Sequence, residues 1–154
     1  MSNVGSALHR CKYENGGDFP DFLLKITLKA FRKTFGNKHF DLIIYVPPTT
    51  SGDLVKNFTE KISHILNIPI SHKLVKTHVT QAQKVFQNAY LKRDNVSGAF
   101  NYAEPNEIEN KSILLIDDIF DSGATVKEIG KLLTNFGAKL IVPLVIAKTV
   151  GGDL

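Results

Sequence analysis

Two adjacent carboxylates, Asp117 and Asp118, stand just before Asp121, Ser122, Gly123, Ala124 and Thr125, a run of small, hydroxyl-bearing and turn-forming residues. Where such a run opens a helix, its backbone N–H groups lack intrahelical partners and the helix dipole adds partial positive charge, so the natural ligand is a phosphate. Gly123 lets the backbone approach that ligand closely, and the Ser122 and Thr125 hydroxyls add hydrogen bonds without bulk. The dipole alone would contribute about 0.3–2 kcal/mol to a bound phosphate. The two carboxylates suit sugar hydroxyls or a hydrated Mg²⁺. Phosphate, diol and metal together describe a sugar phosphate. A second reading needs no ligand: Thr125 with Glu128 three residues later fits a capping box, and Asp121 fits a turn residue bonding its own backbone. That reading explains a helix start but leaves the acidic pair unaccounted for.

These residues need elements to hold them. Ile113 to Ile116 are apolar without alternation, as in a strand buried on both faces of a parallel sheet, and the acidic pair is placed at its carboxyl end. Val126, Ile129, Leu132, Leu133 and Phe136 follow helical spacing, and Gly137 closes that helix. The same design occurs earlier. Leu42 to Val46 form a buried strand stopped by Pro47 and Pro48, and Thr49, Thr50, Ser51, Gly52 and Asp53 lead into a helix with Leu54, Val55, Phe58, Ile62, Ile65 and Leu66 inward. Asn67 and Pro69 end it, and Ile70 to Val75 read as another strand. Upstream, Asp18 and Pro20 mark a helix with Leu24, Leu28, Phe31 and Phe35 as its buried stripe. Residues 77–81 read as a mobile segment, Ala82, Val85, Phe86, Ala89 and Tyr90 as helical, Phe100 as the start of a strand, and 103–112 as an exposed connection. Leu140 to Ala147 form the last strand, placed by Pro143 toward a sheet edge or at an irregular point.

The chain has 154 residues, 43% hydrophobic and 22% charged, as expected of one globular domain with a single core. No stretch approaches the ~18 consecutive apolar residues of a membrane span, and no basic-then-apolar start marks a signal peptide. The lone Cys11 cannot form an internal disulfide, which fits a cytoplasmic location. The net charge of +4 suits a phosphate-rich substrate and is too diffuse to argue for nucleic acid. Lys25, Lys29, Arg32, Lys33 and Lys38 read as a solvated helix face. A nucleic-acid-binding fragment built on them would lack interleaved aromatic residues. The five histidines show no metal-ligand spacing.

The run Ile113 to Thr125 resembles the phosphoribosyl pyrophosphate (PRPP) motif of type I phosphoribosyltransferases: an apolar strand, two acidic residues, two apolar residues, Asp, Ser or Thr, Gly, any residue, Thr. Thr80, Gln83, Leu91, Arg93, Asn95 and Val96 before Gly98, Ala99 and Phe100 resemble the middle of the ComF-like branch, where a flexible loop closes over PRPP. The resemblance covers most of residues 40–148 and extends to phosphoribosyltransferase domains attached to some bacterial RecQ-type helicases. It implies an α/β fold, a doubly wound, mostly parallel sheet of about five strands with helices on both faces and a mobile flap. It also implies transfer of a 5-phosphoribosyl group from PRPP to a nitrogen nucleophile. Ser122, Gly123, Ala124 and Thr125 would hold the 5-phosphate. Asp117 and Asp118 would take the ribose hydroxyls or Mg²⁺, directly or through water, and Asp121 matches a proton acceptor of some purine members. Thr50, Ser51 and Gly52 are the candidates for the pyrophosphate loop, although many such loops carry a Lys or Arg and this one does not. Few residues follow the last strand, so the acceptor site has no candidates. The Met-Ser-Asn start and the helicase likeness lead us to expect a single domain cut from a longer chain, with a covalently linked helicase domain or a homodimer as partner and no membrane. The competing function is a non-catalytic PRPP or nucleotide sensor regulating an attached DNA-processing protein.

Overall fold

The computed structural model describes residues 6, 10, 18–48, 52–77, 97–120 and 122–148. The apolar segment near Val4, the helical stretch from Ala82 to Tyr90 with its flap, and the tail after Lys148 lie outside the described residues.

Helix α1 (Asp21–Phe35) follows Pro20 and leads to strand β1 (Leu42–Tyr45) and helix α2 (Leu54–Leu66). Strand β2 (Ile70–Ser71) lies beside β1, and β3 (Leu74–Lys76) pairs antiparallel with β4 (Phe100–Tyr102). After a short 3-10 turn at Pro105–Glu107 come β5 (Ser112–Phe120), α3 (Ala124–Asn135) and β6 (Leu140–Lys148). The main sheet is parallel and runs in the order β2-β1-β5-β6. Among the described residues the sheet has four parallel strands, with a separate antiparallel pair beside it.

Ile113, Leu114, Leu115 and Ile116 are all completely buried, as their unbroken apolar run demands. Leu114 and Ile116 pack with α1 and α2, through Leu23, Phe31, Leu54, Phe58 and Ile62. Ile113 and Leu115 face the other way, toward Leu74, Phe100 and Tyr102 of the hairpin and Ala124, Ile129 and Leu133 of α3. Helices therefore cover both faces of the sheet. Pro143 sits in the edge strand β6 opposite Leu115, where a missing N–H costs no second ladder.

Two stripes are rotated from the expected ones. The deepest positions of α1 are Leu23, Thr27, Leu28 and Phe31, with Leu24 and Phe35 at the margin. In α2, Thr59 completes the inward face and Ile65 is 42% exposed. Both threonines can be buried because each hydroxyl donates to a carbonyl one turn back, Thr27 to Leu23 (2.7 Å) and Thr59 to Val55 (2.6 Å). A polar residue satisfied in this way does not show in a hydropathy pattern.

The expected strand from Ile70 to Val75 is two strands in different sheets, broken at His72 and Lys73. A polar network holds the break. Tyr102, 1% exposed, donates its hydroxyl to Glu107 Oε2 (2.6 Å) and lies against Ser71 Oγ, while Lys73 Nζ donates to Glu107 Oε1 (3.2 Å) and Glu104 Oε2 (2.9 Å). The expected exposed connection is accordingly anchored, and its Ile108 is completely buried. The hydrogen bond from Tyr102, followed by that from Lys73, holds the Glu107 carboxyl below its ordinary range. Its stabilising contribution is fully present above the unfolded carboxyl pKa of about 4.3 and is lost as pH falls through the lower folded value. Glu107→Gln should therefore melt below the wild type at neutral pH, with the gap closing in acid. Parallel melting curves between neutral pH and about pH 3 check this.

Candidate functional site

Strand order places the site. From β1 the chain crosses through α2 to β2 on one side, and from β5 it crosses through α3 to β6 on the other, so the direction of winding reverses between β1 and β5. In open α/β sheets the crevice at the carboxyl ends of the two strands flanking such a reversal is where ligands bind. The two loops singled out in the sequence leave these two strands. Of the first loop, Gly52 is described, in a left-handed turn (φ 59°) just before α2, whereas Thr50 and Ser51 lie outside the described residues.

At the second loop Gly123 takes φ 77°, ψ 4° and opens α3, a conformation that glycine adopts without steric cost. Its carbonyl accepts the Lys127 N–H (2.9 Å), and Ser122 Oγ accepts the Ala124 N–H (3.3 Å). No side-chain cap bond is made at Gly123. The alternative capping box with Thr125 as the cap does not form, because the helix already begins at Ala124 with Gly123 as its N-cap. Glu128 Oε1 instead accepts the N–H of Gly98 (2.9 Å). Asp121 lies outside the described residues.

Strand β5 continues through the acidic residues instead of ending before them. Its pairing with β1 stops at Tyr45–Ile116, but β6 follows it to Phe120 and Lys148, so Asp117 and Asp118 sit on a strand supported from one side only. Consecutive strand residues face opposite ways. Asp117 therefore continues the face of Ile113 and Leu115, and Asp118, 7% exposed, the face of Leu114 and Ile116. The carboxylates straddle β5. Asp117 Oδ1 also accepts the Asp118 N–H (2.8 Å).

Lys76, the last residue of β3, comes within electrostatic reach of Asp117. It is half-buried, and burial depresses its ammonium pKa while Asp117 opposes that shift. Sequence reading assigned no role to Lys76 or to the Glu128 contact. Each depends on a partner remote in the chain, so no local spacing signals it. A cavity of about 560 Å³ lined by Lys38, Asp41, Lys111 and Lys139 lies at the opposite, amino edge of the sheet and does not include the loop residues.

A family model described as a phosphoribosyl transferase domain matches residues 57–151, the stretch from within α2 through the hairpin, β5, its loop and α3 to β6. The chain belongs to the phosphoribosyl transferase domain family. This phosphoribosyl transferase domain is 26% identical over 155 residues to DNA utilization protein YhgH of Escherichia coli O157:H7, across 93% of the chain and 66% of that protein. It thus spans just under two thirds of the length of that curated relative. It is 31% identical over 84 residues to competence protein F of Haemophilus influenzae, across 54% of the chain and 37% of that protein, in keeping with the ComF-like branch. In fold it is similar to a purine phosphoribosyltransferase from Pyrococcus horikoshii Ot3, with a TM-score of 0.56 and 17% identity over 86% of this chain and 77% of that one. The family match begins after Gly52, so the expected pyrophosphate loop precedes it. Among the described residues no helix of the domain is long and apolar enough to cross a membrane.

Proposed function

We propose that this domain binds PRPP across the β1/β5 reversal and transfers the 5-phosphoribosyl group to a nitrogen nucleophile, releasing pyrophosphate. The observation that carries this reading is the left-handed Gly123 opening α3 directly after an acid-bearing strand at the reversal. The N–H groups at the start of α3 would hold the 5-phosphate, with the Ser122 and Thr125 hydroxyls beside them. Asp117 and Asp118 would accept from the ribose hydroxyls on the two sides of β5. As the C1–O bond to pyrophosphate breaks and the new N–C1 bond forms, the sugar passes through an oxocarbenium-like state. Fixed donors and charges around it are worth most there. Asp121, which matches a proton acceptor of some purine members, would take the proton released by the nitrogen, and Lys76 would supply a cation near Asp117 for the leaving group.

Mg²⁺ fits this donor set. It binds through one or two carboxylates, several waters and substrate phosphates, and the Lys76 charge beside Asp117 favours a water-mediated contact over direct coordination. When bound, it would offset charge on the departing pyrophosphate. A second reading, a non-catalytic PRPP or nucleotide sensor serving a DNA-processing partner, is favoured by the names of the relatives, DNA utilization protein and competence protein. Cytoplasmic action, a homodimer and a linked RecQ-type helicase domain in a longer chain belong to the same proposal and rest on the resemblance.

PRPP with Mg²⁺ is expected to raise the melting temperature, because a ligand that binds only the folded state stabilises it. Absence of a shift with PRPP, alongside a shift with single-stranded DNA, would overturn both readings. Pyrophosphate release from PRPP across a panel of bases and amines then separates them: turnover with any acceptor removes the pure sensor, and silence across the panel removes the transferase.

A further inference from the structure

Three hydrogen bonds converge at the end of the β3–β4 hairpin. The Thr77 N–H donates to Ala99 O (2.7 Å), Thr77 Oγ1 donates to Gly98 O (2.7 Å), and the Gly98 N–H donates to Glu128 Oε1 (2.9 Å). The first two tie the strands to each other immediately after the Lys76–Phe100 pair. The third ties them to α3, the helix whose first turn forms the candidate phosphate loop. Glu128 lies one turn into that helix, on the side facing the hairpin, where Ala124 and Ile129 already pack in a common core with Leu74 and Phe100. Lys76 is thereby carried on a two-stranded ribbon that has no ladder to the main sheet. A ribbon of this size is marginal without a tertiary anchor. The Tyr102–Ser71 and Lys73–Glu107 contacts fix the end of the ribbon where Leu74 pairs with Tyr102, but at the Lys76 end the contacts with α3 are otherwise apolar and non-directional. A charge-assisted hydrogen bond is directional and stronger than a neutral one.

We propose that Glu128 is a positioning residue: by accepting the Gly98 amide it fixes the end of the hairpin against α3 and so holds Lys76 at the Asp117 side of the site. The proposal rests on the PRPP reading for its functional consequence. Ribose 5-phosphate uses the α3 loop and the carboxylates, whereas PRPP adds the pyrophosphate that Lys76 would face. Loss of the anchor should therefore weaken PRPP selectively.

The test is the affinity of the full chain for PRPP and for ribose 5-phosphate, both with Mg²⁺, in Glu128→Ala, Glu128→Gln, Lys76→Ala and the Glu128→Ala/Lys76→Ala double variant. The expected result is about a tenfold loss of PRPP affinity in Glu128→Ala with ribose 5-phosphate unaffected. Glu128→Gln, which keeps an acceptor oxygen, should recover most of the loss. The double variant should bind PRPP no more weakly than Lys76→Ala, because the two residues act in series. Equal losses for both ligands, additive losses in the double variant, or unchanged PRPP affinity would overturn the proposal. If Glu128→Ala does not fold, Glu128→Asp, which draws the acceptor back by one methylene, replaces it. Should the wild type bind neither ligand, the PRPP reading fails, and amide hydrogen exchange decides the anchor: faster exchange at Thr77 and Gly98 in Glu128→Ala but not in Glu128→Gln supports it, and unchanged exchange overturns it.

Discussion

Gly123→Val is expected to abolish the thermal shift produced by PRPP. At φ 77° a β-branched side chain meets the carbonyl oxygens that flank it, at a cost of about 1–3 kcal/mol. The chain can avoid that cost only by moving the turn. Moving it displaces the N–H groups that open α3, which in the proposed function would supply both hydrogen bonds and dipole charge to the phosphate. The substitution also places two methyl groups where the ligand must approach. Its effect on folding should be smaller than its effect on binding, because Ala124, Ile129 and Leu133 keep α3 packed on the sheet. Calorimetric titration beside thermal melts separates the two: a folded variant that still binds PRPP with wild-type affinity would remove the phosphate role of this loop.

Asp117→Asn and Asp118→Asn should each weaken PRPP by about 1–3 kcal/mol, the value of a hydrogen bond to a charged acceptor. The isosteric amides preserve shape and leave one acceptor oxygen each, so the loss reports charge. Because the carboxylates straddle β5, their effects should differ in kind. Asp117 shares its side of the strand with Lys76, and its replacement should also change the Mg²⁺ dependence of binding. Asp118, on the α1 and α2 side, should act on the sugar alone. Dissociation constants measured over a Mg²⁺ series check this, and unchanged affinity in either variant would rule out a sugar role for that residue.

Several features were legible in consecutive residues. The unbroken apolar run Ile113 to Ile116 demanded burial on both faces, Gly123 and Gly137 supplied the left-handed positions that begin and close α3, and Pro143 called for an edge or an irregular point, of which the structure has the edge. These follow from side-chain size, backbone conformation and hydrogen-bonding capacity, properties that each short segment carries with it. Other features needed the folded chain. The segment from Ile70 to Val75 reads as one strand, yet it is split between two sheets at a break where Tyr102 and Lys73 reach Glu107, partners remote in the chain. Glu128 has the spacing of a capping-box residue, yet its carboxylate accepts the backbone N–H of Gly98, in the turn before β4 and remote in the chain. Asp117 and Asp118 are neighbours in sequence, and the continuation of β5 along β6 sets them on opposite sides. The chain by itself singled out an acidic pair and a small-residue loop as candidates for a sugar and an anion. The tertiary structure decided that β5 and the Gly123 turn stand at the β1/β5 reversal with Lys76 alongside, because strand order and long-range pairing join segments whose local sequences hold no record of one another.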